Sequence, residues 1–364
     1  MKILLLGEYS GLHLTLAEGL KYLGHQVTVA SDGDGFKNYY RDIDLLRKSS
    51  GLWDTAVGLK RIIANLPKFK GYDIVQIINP CFTTQNIEVN LKLYRYLKRH
   101  NYKVFLGAFG DDYYWLKACL DKKFRYSEFN IGDHENNLSY NQKIRHDWLE
   151  TKRKDANIEI AETCNGIIAC LYEYFEAYKD QYNDKLAYIP LPVNTKKIIS
   201  RPIPITDQIN FFIGINKARS EFKGTDMLYR ALTSLQKNYP DDVRILKAES
   251  VDYSEYLRLI SDAHVVLDQI YSYSPAMNGL LTMALGKVLV GGGEPEMYSL
   301  SGEDSNRPVI NVYPAEESIY HSLESVIRQK FDLPTYGLDS RRFVDTHHNY
   351  IKVAQQYLDF WGSK

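Results

Sequence analysis

Two doubly wound α/β domains in tandem are what this sequence predicts, and three observations predict them. Short apolar runs alternate with segments of helical periodicity along most of the chain. A stretch without periodicity, bearing Pro190, Pro192, Pro202 and Pro204, interrupts that alternation near its middle. The length, 364 residues, exceeds what one core usually serves and suits about two domains.

The first half opens with an apolar strand at residues 3–6. The turn Gly7-Glu8-Tyr9-Ser10-Gly11 then leads into a helix with Leu12, Leu16, Leu20 and Leu23 on one side. Gly24-His25 ends the helix and residues 26–30 form the next strand, completing a βαβ unit. Ligands of open parallel sheets sit at the carboxyl ends of the strands. Gly11 is therefore expected to let a substrate approach the backbone. His13 reads either as a surface or capping residue or as a group on the acceptor side. The turn lacks GxGxxG, so a dinucleotide is not indicated.

Strands at 73–78 and 103–107 follow helices at 58–66 and 87–99. After the second strand comes Gly110-Asp111-Asp112. Asp111 and Asp112 are the candidate catalytic pair, since adjacent carboxylates at a strand end can hold sugar hydroxyls, a metal or a proton. An N-cap for the helix beginning near Tyr113 is the competing reading for one of them. No His-x-x-His or Asp-x-Asp cluster points to a dedicated metal site. Residues 120–150 read as an insertion on the substrate side or a plain surface excursion. A charged helix (148–163), a strand (166–170), a tyrosine-rich helix and a last strand (186–189) complete a domain of residues 1–190. The linker is expected at 191–207.

The second half repeats the pattern, with strands at 210–214, 243–248, 264–268, 288–291 and 309–312. Helices fall at 226–237, 254–261, 276–285 and 317–331. The domain is expected to cover 208–338. A closing helix, 340–361 within 339–364, follows a short Pro334-containing linker and has the reach to cross back onto the first domain. The densest chemistry lies between Phe211 and Leu232. A buried strand ends in Gly214, the loop carries Lys217, Arg219 and Lys223, and Lys223-Gly224-Thr225-Asp226 opens a helix. Free amides and the positive end of a helix, with cations beside them, suit a diphosphate. A merely solvated loop is the plainer alternative.

Lys plus Arg equals Asp plus Glu, 45 each, which leaves no global basic field for nucleic acid. The cysteines show no CxxC pairing and fit a reducing cytoplasm. The first residues read as a strand and not a signal peptide, and no apolar run approaches the ~18 residues of a membrane span. Lys152 to Lys154 reads as a solvated face, with peripheral contact to anionic headgroups at the cytoplasmic membrane surface as the alternative.

In their order these pieces resemble the GT-B glycosyltransferases, in particular the retaining family that includes many bacterial polysaccharide enzymes. The resemblance rests on Gly7 to Gly11, Ile189-Pro190-Leu191-Pro192-Val193-Asn194, Gly214 with Lys223-Gly224-Thr225-Asp226, Met283-Ala284-Leu285-Gly286-Lys287, Gly292-Gly293-Glu294-Pro295-Glu296 and Ser340-Arg341-Arg342-Phe343-Val344. It implies two Rossmann-like domains and a nucleotide diphosphate sugar as donor, with no other cofactor. It also implies a glycan or lipid-linked acceptor and retention at the transferred carbon. Lys223 would hold the diphosphate, helped by Arg219 or Lys217, because the usual Gly-Arg pair is here Gly214-Ile215. The paired glutamates fall on Tyr273 and Leu281, so either Glu294 and Glu296 substitute for them or the donor is held differently, and Gly11, Gly214 and Asn278 join the expected donor set. The first-domain histidine is also missing, with Gly110-Asp111-Asp112 in its region. Those departures keep open a non-catalytic sugar-nucleotide-binding protein or a nucleotide-sugar epimerase.

Overall fold

The apolar runs fold as parallel strands with both faces covered, the burial such runs are suited to. The computed structural model describes residues 1–249, 251 and 253–364. In chain order its strands are β1 (Lys2–Leu6), β2 (Gln26–Ser31), β3 (Ile43–Asp44), β4 (Ile74–Ile77), β5 (Lys103–Ala108), β6 (Tyr126–Ser127), β7 (Asn130–Ile131), β8 (His134–Glu135), β9 (Gly166–Ala169), β10 (Leu186–Tyr188), β11 (Ile209–Ile215), β12 (Val243–Glu249), β13 (Val265–Leu267), β14 (Val288–Gly291) and β15 (Ile310–Asn311).

The chain divides into two units. The first comprises Met1–Ala118, Ile144–Pro192 and Tyr350–Lys364. Its sheet runs β10-β9-β5-β4-β1-β2-β3, all parallel. The order reverses at β1, which has β2 on one side and β4 on the other, so the loops after β1 and β4 flank the crevice position of such sheets. The helix Tyr350–Ser363 packs on the helix Leu12–Tyr22. A Cβ on Gly19 would stand 2.3 Å from the carbonyl oxygen of Tyr350, so only glycine admits this approach. Trp361 is fully buried, and its Nε1 donates to Gln76 Oε1 at 3.3 Å.

The second unit comprises Cys119–Lys143 and Val193–Asn349. Its main sheet runs β12-β11-β13-β14-β15, again all parallel, with the reversal between β11 and β13. Phe211, Ile213, Leu228, Leu232, Val265 and Val288 form the centre of its core. The short antiparallel strands β6, β7 and β8 belong to the 119–143 segment.

This division departs from the sequence-based boundaries of 1–190, 191–207, 208–338 and 339–364. The 119–143 segment lies inside the expected first domain yet packs with the second unit, through Phe124 and Tyr126 against Tyr273. The expected linker is largely part of the second unit, because Ile203 enters its core and Arg201 N–H bonds Leu285 O at 3.2 Å. Pro334 starts the helix Leu333–His347, where its missing N–H does no harm, and does not form a linker. The closing helix is two helices, Leu333–His347 in the second unit and Tyr350–Ser363 in the first. Arg341 fastens the former by donating to Ala284 O at 2.7 Å and Ile198 O at 3.1 Å. Among the described residues no helix is long and apolar enough to cross a membrane.

Candidate functional site

At the reversal of the second unit's sheet, the loop after β11 is built turn by turn. Asn216 Oδ1 accepts from Ala218 N–H at 3.1 Å and caps the turn Lys217–Arg219. The short helix Ser220–Lys223 ends at Gly224, whose φ of +70° also starts the helix Thr225–Asn238. No side chain caps that second helix. A Cβ on Gly224 would lie 2.3 Å from Ile270 Cγ1, in the loop after β13, and Ile270 N–H donates to Lys223 O at 3.2 Å. The two loops at the switch point are thereby locked together beneath an uncapped helix start.

The three cations of this loop differ in their surroundings. Lys223 is half-buried and its Nζ has no hydrogen-bond or ion-pair partner among the described residues. Lys217 is paired with Glu249 at 2.6 Å, and Glu249 also takes Lys247 at 2.5 Å. Those lysines hold the Glu249 carboxyl well below its usual range. Lys217 is thus engaged by a protein carboxylate, which it shares with Lys247, whereas Lys223 is not. Arg219 lays its guanidinium over the rings of Tyr140 and Phe222, 5.3 and 5.1 Å from their centres, and its buried Nε has no partner.

Two other members of the expected donor set are engaged by protein groups. A Cβ on Gly214 would stand 2.9 Å from the Tyr256 ring, so an aromatic side chain makes a close approach there. Tyr256 OH donates to Asn278 Oδ1 at 2.6 Å, and Asn278 Nδ2 donates to Asp268 Oδ1 at 3.1 Å. Asp268 sits just past β13, beside the switch point, and was missed. A carboxylate at a strand's carboxyl end was the available signal.

Glu294 and Glu296 follow β14 at the start of the helix Pro295–Ser301. Arg125 of the 119–143 segment spans both, donating from Nη2 to Glu294 Oε2 at 2.7 Å and from Nη1 to Glu296 Oε1. Tyr126 OH donates to Glu294 Oε1 at 2.5 Å. The guanidinium lies over the Tyr273 ring, 5.0 Å from its centre, and Tyr273 OH accepts Arg125 N–H at 2.8 Å. Arg125 holds the Glu296 carboxyl below its usual range. The glutamates expected to replace a ribose-binding pair are thus clasped by a segment that sequence reasoning left unassigned. Tyr273, which stands where the first carboxylate was expected, is one of its supports.

In the first unit, Gly11 has φ +82° and precedes the helix Leu12–Tyr22, with the Tyr39 ring 3.4 Å from where a Cβ would be. His13 is fully buried, which corrects the surface expectation. Its Nδ1–H donates to Gly7 O at 2.8 Å, while Nε2 has no partner among the described residues. Burial pulls its pKa down to about 4, so it is neutral at pH 7. The buried Glu8 accepts from Leu14 N–H at 2.9 Å and His13 N–H at 3.3 Å, serving the first turn of that helix, and burial raises its pKa to about 7. Asp112 is likewise buried. It accepts from Trp115 N–H at 2.8 Å and Tyr178 OH at 2.7 Å, and burial raises its pKa to about 7. It caps the helix Tyr113–Leu120, so the catalytic expectation for Asp112 gives way to the capping one. Asp111 is half-buried, and its carbonyl oxygen accepts from Asn79 Nδ2 at 3.2 Å, which ties the loop after β5 to the loop after β4. Among the described residues no group of His, Cys, Asp and Glu is arranged to hold a metal ion.

No protein-family model and no curated protein matches the chain. Solved structures do. Anabaena HepE in complex with UDP-glucose is similar over 100% of both chains with a TM-score of 0.61 at 12% identity. Sucrose-phosphate synthase from Thermosynechococcus elongatus is similar over 100% of this chain and 99% of its own, with a TM-score of 0.58 at 14% identity. The chain has the GT-B fold. WaaG, a glycosyltransferase involved in lipopolysaccharide biosynthesis, is similar over 99% of both chains with a TM-score of 0.56 at 14% identity. These matches span essentially whole chains, so the GT-B likeness covers both units and not one Rossmann-like half.

Proposed function

We propose that the protein transfers a sugar from a nucleotide diphosphate sugar to a glycan or lipid-linked acceptor, in the making of a cell-surface polysaccharide or glycoconjugate. The observation that carries this reading is Lys223, a half-buried cation without a protein partner among the described residues, next to an uncapped helix start at the sheet's switch point. Lys223, with Arg219 and the helix amides, holds the diphosphate and stabilises the charge that develops on it as the sugar departs. The GT-B fold shared with HepE, whose structure contains UDP-glucose, supports a nucleotide sugar as donor. Transfer with retention needs no protein nucleophile, because an oxygen of the leaving phosphate takes the acceptor's proton on the same face. We assign the acceptor side to the first unit, with Gly11 kept among the donor-binding residues and Asp111 as the candidate catalytic carboxylate. Peripheral contact with the cytoplasmic membrane surface belongs to the same proposal.

A second reading, a sugar-nucleotide-binding protein without turnover, is favoured by one observation: Glu294 and Glu296 are clasped by Arg125, while Tyr273 and Leu281 stand where carboxylates were expected. A donor panel followed by mass spectrometry, with and without acceptor, separates the readings. Release of nucleoside diphosphate with a transferred or hydrolysed sugar supports the transferase. Binding without turnover supports the second reading, and isomerisation of the donor without its cleavage would indicate an epimerase.

A further inference from the structure

The helix Leu52–Asn65 turns its apolar side to solvent. Its buried residues are Gly58 and Ile62, and Gly58 sits so close to its neighbours that a Cβ would lie 2.4 Å from Gln85 Nε2. With 3.6 residues per turn, Leu59, Leu52, Ile63, Ala56, Lys60 and Trp53 follow one another around a single arc, and all are exposed. Leu52 is 92% exposed, Trp53 80%, Ile63 56% and Leu59 37%. A surface helix of a globular protein ordinarily shows polar residues on that arc.

The charges around the arc have one sign. Lys60 lies within it, Lys48 precedes the helix, and Lys68 and Lys70 follow it, all exposed. Among the described residues Lys48, Lys60 and Lys68 have no ion-pair partner. The helix's acidic residue, Asp54, lies off the arc and accepts from Ser49 Oγ at 2.5 Å. We propose that this helix docks the protein on the surface of an anionic lipid bilayer. Leu52, Leu59 and Ile63 enter the boundary between headgroups and acyl chains, Trp53 lies at headgroup level, and the lysines meet lipid phosphates. At 14 residues the helix is too short to span a bilayer and lies in its plane. A second copy of this chain is a poorer occupant, because a two-fold contact over the arc would set lysine against lysine. The proposal deepens the peripheral membrane contact placed with the transferase reading, and its test reads lipid binding and not sugar transfer.

The full chain contains four tryptophans, and Trp115, Trp148 and Trp361 are already buried, so a blue shift on docking is assigned to Trp53. The test is co-sedimentation with vesicles of phosphatidylcholine mixed with phosphatidylglycerol, and with phosphatidylcholine alone, while tryptophan emission is recorded. The protein is expected to sediment with the anionic vesicles, less so as salt is added, with a blue shift of emission. Trp53→Phe should remove the shift yet still sediment, Ile63→Glu should stay in the supernatant, and Lys60→Glu should weaken partitioning about fivefold or more. These positions are exposed, and far-UV circular dichroism checks that each variant is folded. The proposal is overturned if the unsubstituted protein does not sediment or if Ile63→Glu sediments equally well. It is also overturned if the surface instead supports a concentration-dependent dimer that Ile63→Glu dissolves.

Discussion

Arg125 and Glu294 stand 169 residues apart in the chain and are joined by an ion pair of 2.7 Å from Nη2 to Oε2. The same guanidinium reaches Glu296, so one side chain of the 119–143 segment fixes the start of the helix after β14. Arg125→Ala leaves the Glu294 carboxylate, 10% exposed, with Tyr126 as its remaining side-chain donor. The Arg125 side chain is 53% exposed, and water screens much of the pair. The expected loss is about 1–2 kcal/mol, read from urea denaturation. Arg125→Lys keeps the charge without the planar fork and should recover less than half of it.

Gly224→Ala should destabilise the second unit by about 2–3 kcal/mol, because the new methyl both strains a left-handed backbone and meets Ile270. Gly132 separates these causes. Its φ is +56° with open space around it, so Gly132→Ala bears the backbone strain alone, about 1 kcal/mol. Equal losses at the two positions would show that the Ile270 contact matters little.

Asp112→Asn should flatten the dependence of stability on pH. The Asp112 carboxyl titrates at about 7 in the folded protein against 3.8 ordinarily, so the folded state binds more protons between those values. Its contribution is fully present below the ordinary value and is lost as pH rises through 7. Asparagine can still cap the helix and bond Tyr178 without that cost. The variant should therefore gain on the unsubstituted protein between about pH 5 and about pH 8, by up to about 3 kcal/mol. His13 works in the opposite sense. With its pKa lowered to about 4 by burial, its contribution is present above its ordinary value of 6.5 and lost as pH falls through 4. Parallel pH profiles for Asp112→Asn and the unsubstituted protein would show that the carboxyl is not held protonated.

The doubly wound fold was legible because its strands are apolar runs long enough to be covered on both faces, as at residues 3–6 and 288–291. The helix start at Gly224 was legible because a glycine before a periodic apolar face marks a helix boundary. The two-residue strands β6, β7 and β8 were not, since two residues carry no period. The Arg125 clasp was hidden for a different reason: nothing local says that a carboxylate at 294 has its partner at 125. His13, Asp112 and Gly214 carried recognisable residue types, but their roles depend on Gly7, Tyr178 and Tyr256, which only tertiary packing brings near.

Isothermal titration of nucleoside diphosphates into the protein and its Lys223→Ala and Lys217→Ala variants tests the central claim most directly. The account predicts that at least one nucleoside diphosphate binds, that Lys223→Ala weakens it about ten- to a hundredfold, and that Lys217→Ala, whose lysine is exposed and engaged by Glu249, changes it by less than about threefold. Failure of every nucleoside diphosphate to bind, or undiminished affinity in Lys223→Ala, would contradict it.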